Sequence, residues 1–543
     1  MPNARAGEEQ SRGSRDSDFR WEVPEAFNFS ADIVDHWAQD PERLALIAVD
    51  ADGREQRFTY AEVARRAARL AGLLADLGIE QGDRIVVMLP RIPEWQIAMV
   101  AATRMGAVPI PCITMLTASD LAYRIEHAGA KGVITTVAET GKFEGQGGLV
   151  ARVCVPSGGA PDASGDVPSG WTSSAEAESR SADFAPARVL AEDPAILYYT
   201  SGSTGPPKGV THAARALWAW SSSAEHWLDL GPDDLIWCTA DTGWSKAGTS
   251  ILFGPWSRGA SVLFYDGPFD PRRRFELLDR YEVSVFCAAN TELRRLVLED
   301  VSGFDLGRLR STVSAGESVN PEIIDRWREI SGTTVLDGYG QTETLMTVTN
   351  RRGWPVKPGS MGRPLPGVEA AVRTADEKLE RKGAGELLIA LPNPQLMLGY
   401  RDDPERTAST RVALGGRDWF ATGDNVEIDG DGYVFYTGRA DDIINSSGYR
   451  IGPQEVENAL SRHPAVQECA VVGVPDPERG ELVKAWVVLG AGHAGSPELV
   501  AELQDHVKQA TAPYKYPRAI AFTDDLPKTV TGKIRRNWLR ERG

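Results

Sequence analysis

From Thr59 the chain places Val63, Ala67, Leu70, Leu74 and Leu77 at alternating steps of four and three. That spacing makes one apolar stripe on an α-helix, and Thr59-Tyr60-Ala61-Glu62 has the Thr and Glu of a capping box, so a helix is predicted to start there. The pattern then changes. Gly82-Asp83 leads into the β-rich run Ile85-Val86-Val87-Met88-Leu89, Pro93 opens an apolar helical stretch through Ala102, and Ala107-Val108-Pro109-Ile110 follows. Strand, helix and strand in that order predict parallel pairing. The rhythm returns at Ser261-Val262-Leu263-Phe264 and Val283-Ser284-Val285-Phe286, so the expected fold class is α/β with layered sheets, not a β-sandwich.

Two stretches interrupt this rhythm. Residues 141–191 are rich in Gly, Ser, Ala, Asp and Pro, with only Val153-Cys154-Val155 strand-like, and read as a long surface excursion. A second break falls near Tyr436 to Asp442. Beyond it, Glu455 to Leu460, Cys469 to Val474, Lys484 to Leu489 and a helix opened by Ser496-Pro497 make a compact α+β pattern. The expected organisation is a disordered tail over residues 1–26, a large multi-subdomain N-terminal domain over 27–438, and a small mobile C-terminal domain over 439–543.

Composition narrows the class. A chain of 543 residues exceeds the roughly 250–300 that one core supports, which requires more than one domain. Hydrophobic residues at 42% and charged residues at 25% are those of a globular protein. Net charge is −17, which repels nucleic-acid phosphates and anionic lipid surfaces, so no nucleic-acid partner is expected. The five cysteines show neither CxxC nor paired spacing, the start of the chain has no apolar leader pattern, and no apolar run reaches the roughly 20 residues that span a bilayer. These features lead to the expectation of a cytoplasmic protein without integral membrane association; a homodimer is left open.

The sharpest local chemistry is Tyr198-Tyr199-Thr200-Ser201-Gly202-Ser203-Thr204-Gly205-Pro206-Pro207-Lys208-Gly209. Small residues let backbone N–H groups approach phosphate oxygens, the hydroxyls of Ser201, Ser203 and Thr204 add donors, and Lys208 adds charge. A Walker loop would need Gly where Pro207 stands and Ser or Thr where Gly209 stands. The plain alternative is a flexible Gly/Ser loop, disfavoured by the apolar strand Ile196 to Tyr199 just before it.

This loop resembles the signature of the adenylate-forming superfamily of acyl-CoA synthetases, firefly luciferase and peptide-synthetase adenylation domains. Further motifs match in order: Ser314-Ala315-Gly316-Glu317, Asp337-Gly338-Tyr339-Gly340-Gln341-Thr342-Glu343-Thr344, Gly385-Glu386-Leu387, Trp419-Phe420-Ala421-Thr422-Gly423-Asp424, Gly438-Arg439-Ala440-Asp441-Asp442, Ser447-Gly448-Tyr449-Arg450 and Pro527-Lys528-Thr529-Val530-Thr531-Gly532-Lys533. The match runs from about Phe27 to Arg536. Asp241-Thr242-Gly243-Trp244 and Thr511 to Pro517 look most similar to medium-chain acyl-CoA synthetases.

The resemblance implies substrates ATP and CoA, Mg²⁺, and a reaction in which a carboxylic acid becomes an acyl-adenylate and then a thioester. It implies that Thr200, Ser201, Gly202, Ser203, Thr204, Gly205 and Lys208 hold phosphate, with Thr204 and Lys208 also catalytic. Glu343 would hold Mg²⁺ and Thr342 phosphate oxygens. Gly316 and Glu317 would border the base, the Tyr339 ring would offer it a stacking face, and Asp337, Gly338 and Gln341 would take part in binding ATP or AMP. Asp424 would grip the ribose hydroxyls and Arg439 ribose and phosphate. Lys533 would stabilise charge during adenylation, Asp441 would be the hinge, and Ser447, Gly448, Tyr449 and Arg450 would meet CoA. From Val507 to Gly543 nine Lys/Arg stand against three Asp/Glu, a local net of +6 that suits polyphosphate substrates. His212, alone after the loop, is expected to be structural.

For the acid, Trp244, Ala315, Gly316 and Gly340 are the expected pocket wall. Acetate-specific relatives carry Trp where Gly340 stands, so its absence is expected to open room for a medium-chain or aromatic acid, at about 0.8 kcal/mol per buried CH₂. Two other readings stand beside the ligase: a stand-alone adenylating enzyme that loads a separate carrier protein, and a nucleotide-binding regulatory protein without catalysis.

Overall fold

The computed structural model describes residues 19–543 apart from 157–166, 201–205, 317–318, 440–441, 443, 447–448, 478, 512 and 529–533. The helix anticipated after Thr59 spans Tyr60–Asp76. The Thr59 side chain accepts from Glu62 N, and the Glu62 carboxylate accepts from Thr59 N, which satisfies two backbone donors that the first turn leaves without partners. Its buried face includes Val63, Ala67, Leu70 and Leu74, four of the five residues of the stripe. Pro93–Arg104 is helical as the apolar run after Pro93 implied, with the proline in the first turn.

The parallel sheets are present. Five strands run in the order 108–111, 84–88, 132–136, 151–155 and 172–173, all parallel. A nine-stranded sheet has at its centre 335–341, 311–315, 285–287, 235–238, 261–266 and 44–50, mutually parallel, with antiparallel strands at both edges. Alternation shows both faces of these sheets covered: Val262 and Phe264 enter one core while Leu263 and Tyr265 enter another, and Ile85 and Val87 part from Val86 and Met88 in the same way.

Among the described residues three further sheets are present, two antiparallel and the last mixed, with 519–522 parallel to 480–489. A hairpin of Pro194–Thr200 and Lys208–Ala213 takes Gly399–Tyr400 as a third strand, and a six-stranded sheet is built around Gly383–Ala390 and Arg417–Ile428. The last sheet lies within 444–522, and its long strands Val466–Asp476 and Gly480–Leu489 send Cys469 and Val471 to one core and Ala470, Val472 and Val474 to another. Among the described residues no helix is long and apolar enough to cross a membrane.

Two expectations need correction. Residues 19–26 were grouped with a disordered tail, yet Trp21 Nε1 donates to Gly367 O at 2.9 Å and packs edge-on against Trp218 and Phe19; two large rings had an apolar surface to cover. The stretch 141–191 is not surface throughout: Ala151–Val155 extends the five-stranded sheet, with Ala151, Val153, Cys154 and Val155 buried.

Candidate functional site

The phosphate-loop hairpin brings Thr200 opposite Lys208 in register, and residues 201–205 between them, with Ser201, Gly202, Ser203, Thr204 and Gly205, lie outside the described residues. Lys208 Nζ stands 5.6 Å from the centroid of the Tyr400 ring, a cation–π contact. The same tyrosine donates its hydroxyl to Glu343 Oε1 at 2.9 Å, while Met397 N donates to Glu343 O at 2.9 Å. One aromatic side chain therefore joins the loop lysine to the carboxylate expected to carry the metal. Burial, followed by the charge on Glu343, pushes the Tyr400 phenol well above its usual range, so it remains a donor. Tyr400 escaped the sequence reading; Gly399-Tyr400-Arg401 has no motif around it to mark it.

Glu343 sits at the tip of a hairpin between strands Val335–Gln341 and Leu345–Thr349. Gln341 N donates to Thr344 Oγ1 at 3.0 Å and Thr344 N to Gln341 O at 3.2 Å, while Leu345 takes φ +53°, a conformation that costs a branched side chain energy. Gln341, Thr342 and Glu343 are thus presented on a tight turn. His212, fully buried, braces it: Nε2–H donates to the Thr342 carbonyl at 2.6 Å, and burial lowers the ring pKa to about 4, which keeps it neutral. Thr342 Oγ1 and Ser245 Oγ are 3.2 Å apart.

Gly340 answers a different need from the one expected. A β-carbon built there would stand 1.9 Å from Leu345 O and 2.9 Å from Met346 Cα, and the pairing register shifts between Tyr339 and Gly340. The missing side chain accommodates the partner strand's backbone, a packing need that the pocket reading did not include.

Asp424, expected to meet the ribose, is 5% exposed, and its Oδ2 accepts from Tyr339 Oη at 2.6 Å and Gln341 Nε2 at 2.5 Å. Burial raises its pKa against the pull of Tyr339, Arg439 and Gln341. Asp424 pairs with Arg439 across the sheet, and Gly423 before it has φ +72°. Tyr339 itself is 7% exposed, so little of its ring is open to stack on, and its visible task is to hold Asp424. Asp337 departs further from a nucleotide contact. It is buried, with one carboxylate oxygen on Val319 N at 3.2 Å and the other on Gly338 N at 2.9 Å, so it anchors backbone. A β-carbon on Gly338 would stand 3.1 Å from Cε2 of the buried Trp227 ring as well as against the Met346 methyl, so the position is tightly packed.

Trp244 precedes the helix Ser245–Ser250, and Ala315 and Gly316 end the strand Ser311–Ala315, with Gly316 exposed at φ +101°. Lys246 joins the two elements by donating from Nζ to the Ala315 carbonyl. The sequence reading stopped at Trp244, two residues short of it. Glu317, Asp441, Ser447, Gly448 and Lys533 lie outside the described residues. Tyr449, on the strand Tyr449–Ile451 with Arg450, is 51% exposed and stacks on Tyr514 at 4.2 Å between centroids. Among the described residues no group of three or more His, Cys, Asp or Glu is placed to hold a metal.

Comparison with known proteins follows the same outline. Residues 33–401 match the AMP-binding enzyme family and 455–533 the AMP-binding enzyme C-terminal domain. The chain is 40% identical to mouse mitochondrial acyl-coenzyme A synthetase ACSM3, over 97% of this chain and 93% of that protein. It is 42% identical to the uncharacterized acyl-CoA ligase YtcI of Bacillus subtilis, over 92% and 93%. Among solved structures, the anthranilate CoA ligase AuaEII in complex with anthranoyl-AMP superposes with a TM-score of 0.85 at 29% identity, covering 97% of this chain and 98% of that one. A benzoate CoA ligase from Burkholderia xenovorans LB400 gives 0.81 at 30%, covering 95% and 100%.

Proposed function

This chain belongs to the AMP-binding enzyme family and is an acyl-CoA synthetase, and from that premise we propose how its residues divide the work of joining a carboxylic acid to CoA at the expense of ATP. In the first half-reaction the acid's carboxylate oxygen bonds to the α-phosphorus of ATP as the bond to the β-phosphate oxygen breaks and pyrophosphate leaves. In the second, the CoA sulfur bonds to the acyl carbon and AMP departs. The first step brings two anions together, which costs about 1 kcal/mol at 4 Å in water and about 4 kcal/mol near a protein surface. Fixed positive charge at the phosphates offsets that cost.

The observation that carries the assignment is the meeting of Lys208 and Glu343 on Tyr400. Lys208 and Thr200, with the loop between them, would take the phosphate oxygens. Glu343, oriented by the Tyr400 hydroxyl, suits Mg²⁺, which commonly takes one or two protein carboxylates together with substrate phosphates instead of an all-protein cage. When bound, the ion neutralises phosphate charge. Asp424, held by Tyr339 and Gln341, would grip the ribose hydroxyls, and Arg439, opposite it in the sheet, ribose and phosphate. Residues 27–438 are proposed as the adenylating domain and 439–543 as the mobile domain, turning at Asp441 so that Lys533 serves the first half-reaction and Ser447 to Arg450 the second. Medium-chain or aromatic acids are the proposed substrates.

A panel of C2 to C12 and benzoic acids, assayed for AMP release with and without CoA, tests this. AMP that forms with CoA and with at least one such acid is the expected result; adenylate that never passes to CoA favours a carrier-loading enzyme, and no AMP with any acid ends the ligase assignment. Lys533→Ala should lose adenylation yet keep thioester formation from supplied acyl-AMP, and Gly448→Leu should do the reverse, because a side chain at 448 would block the pantetheine arm.

A further inference from the structure

The wall around Trp244 and Ala315 holds more hydrogen-bonding capacity than a plain alkyl chain can use. Among the described residues Lys246 makes one hydrogen bond, to the Ala315 carbonyl, and no carboxylate forms an ion pair with it. A β-carbon on exposed Gly316 would stand 3.9 Å from Lys246 Nζ, so the ammonium borders the same bend that ends the strand. Asp337, which lies in the field of this lysine, has both oxygens committed to backbone N–H groups and is pushed up to about 7 by burial, so it is a weak counter-charge. One buried polar atom on the adjoining element is also unsatisfied. Trp244 Nε1 has no hydrogen-bond partner among the described residues. Among the described residues, then, an ammonium has no carboxylate partner and a buried indole N–H no acceptor, an arrangement that is costly unless a ligand completes it.

We propose that Lys246 is a specificity-determining residue of the acyl pocket and that the acid activated carries an oxygen acceptor beyond its reacting carboxylate, which draws Lys246 Nζ from the Ala315 carbonyl. The acceptor is a second carboxylate, or a keto or hydroxyl oxygen; each offers lone pairs to an ammonium, and the carboxylate adds charge. This rests on the ligase assignment above. It differs from a role for Lys246 on the reacting carboxylate, which every acid has.

The test compares matched acids on the full-length enzyme: hexanoate against hexanedioate and 5-oxohexanoate, and benzoate against 2-hydroxybenzoate. In the wild-type enzyme kcat/KM for an acceptor-bearing acid should exceed that of its parent at least tenfold. Lys246→Met should lower that ratio at least tenfold, and Lys246→Arg should restore most of it for hexanedioate if charge is what matters, and for 5-oxohexanoate as well if donation suffices. An ATP-induced rise in melting temperature of the variant confirms that it is folded. Parents turned over as well as or better than every acceptor-bearing acid by the wild-type enzyme would overturn the proposal, whatever the variants do. A Lys246→Met enzyme in which all acids fall by the same factor would also overturn it, by pointing to the reacting carboxylate. If no acid of either kind releases AMP, it is the ligase assignment that fails.

Discussion

Tyr400 shows how much of the site's charge is set by a residue that no motif contains. Its part-buried hydroxyl donates to Glu343, and its ring faces the ammonium of Lys208. Tyr400→Phe keeps the ring and removes the donor. A hydrogen bond to a charged group is worth about 1.5–3 kcal/mol, so kcat/KM for ATP at limiting Mg²⁺ should fall by roughly 10- to 100-fold, read from AMP release over a Mg²⁺ titration. An unchanged Mg²⁺ response would separate Glu343 from the metal. His212 gives a pH prediction. Its folded value of about 4 lies below the unfolded value near 6.5, so the stability gained by keeping it neutral is complete above pH 6.5 and is lost as pH falls toward 4. The loss is up to about 3 kcal/mol. His212→Gln, compared with wild type by urea unfolding at pH 7 and pH 4.5, should lose about 2–3 kcal/mol less over that interval; parallel curves would mean that His212 does not titrate in this range.

At the scale of elements, the hairpin Val335 to Thr349 turns packing into site geometry. The register shift at Gly340 and the left-handed Leu345 aim Gln341 at Asp424 and Glu343 at Tyr400. Gly340→Ala puts a carbon against the Leu345 carbonyl and must displace one strand. A drop of several degrees in melting temperature, together with loss of the ATP-induced shift, is expected. An enzyme that tolerates alanine or tryptophan there and gains acetate activity would restore the pocket-gating view. The capped helix is a simpler case: Thr59→Ala removes the acceptor for Glu62 N and should cost about 1 kcal/mol by denaturant unfolding, with kinetics unaffected. That helix and the parallel strands were legible because their periodicity is local. The antiparallel pairing of Gly399–Tyr400 onto the phosphate-loop hairpin was not, because two residues carry no period and their partner lies far back in the chain.

Across the whole molecule, the C-terminal helix Arg536–Glu541 is tied down by ions within its own lobe. Arg536 meets both oxygens of buried Glu457 at 2.7 and 2.8 Å, Glu457 also accepts from Val471 N, and Arg540 reaches Asp442. Arg536→Met leaves Glu457 buried without its cation, a change that costs about 3–5 kcal/mol when a buried pair is broken. If the two proposed domains unfold separately, only the smaller one's denaturant transition should shift; equal movement of both transitions would mean that the lobes unfold as one unit. The sequence by itself determined the reaction class, because the phosphate loop, the Tyr-Gly-Gln-Thr-Glu run and the terminal lysine segment are contiguous and ordered. It also determined the α/β class, because hydrophobic period is a property of neighbours. Only the tertiary structure decided which motif residues are committed to the protein's own backbone and side chains. Asp337 binds backbone N–H groups, Gly340 sits at a register shift against its partner strand, and Tyr400 and Lys246, outside the sequence motifs, come to lie on Glu343 and on the Ala315 carbonyl. The physical reason is that a side chain's environment is set by residues distant in sequence, and burial, hydrogen-bond partners and the space left for a β-carbon exist only once those segments have met.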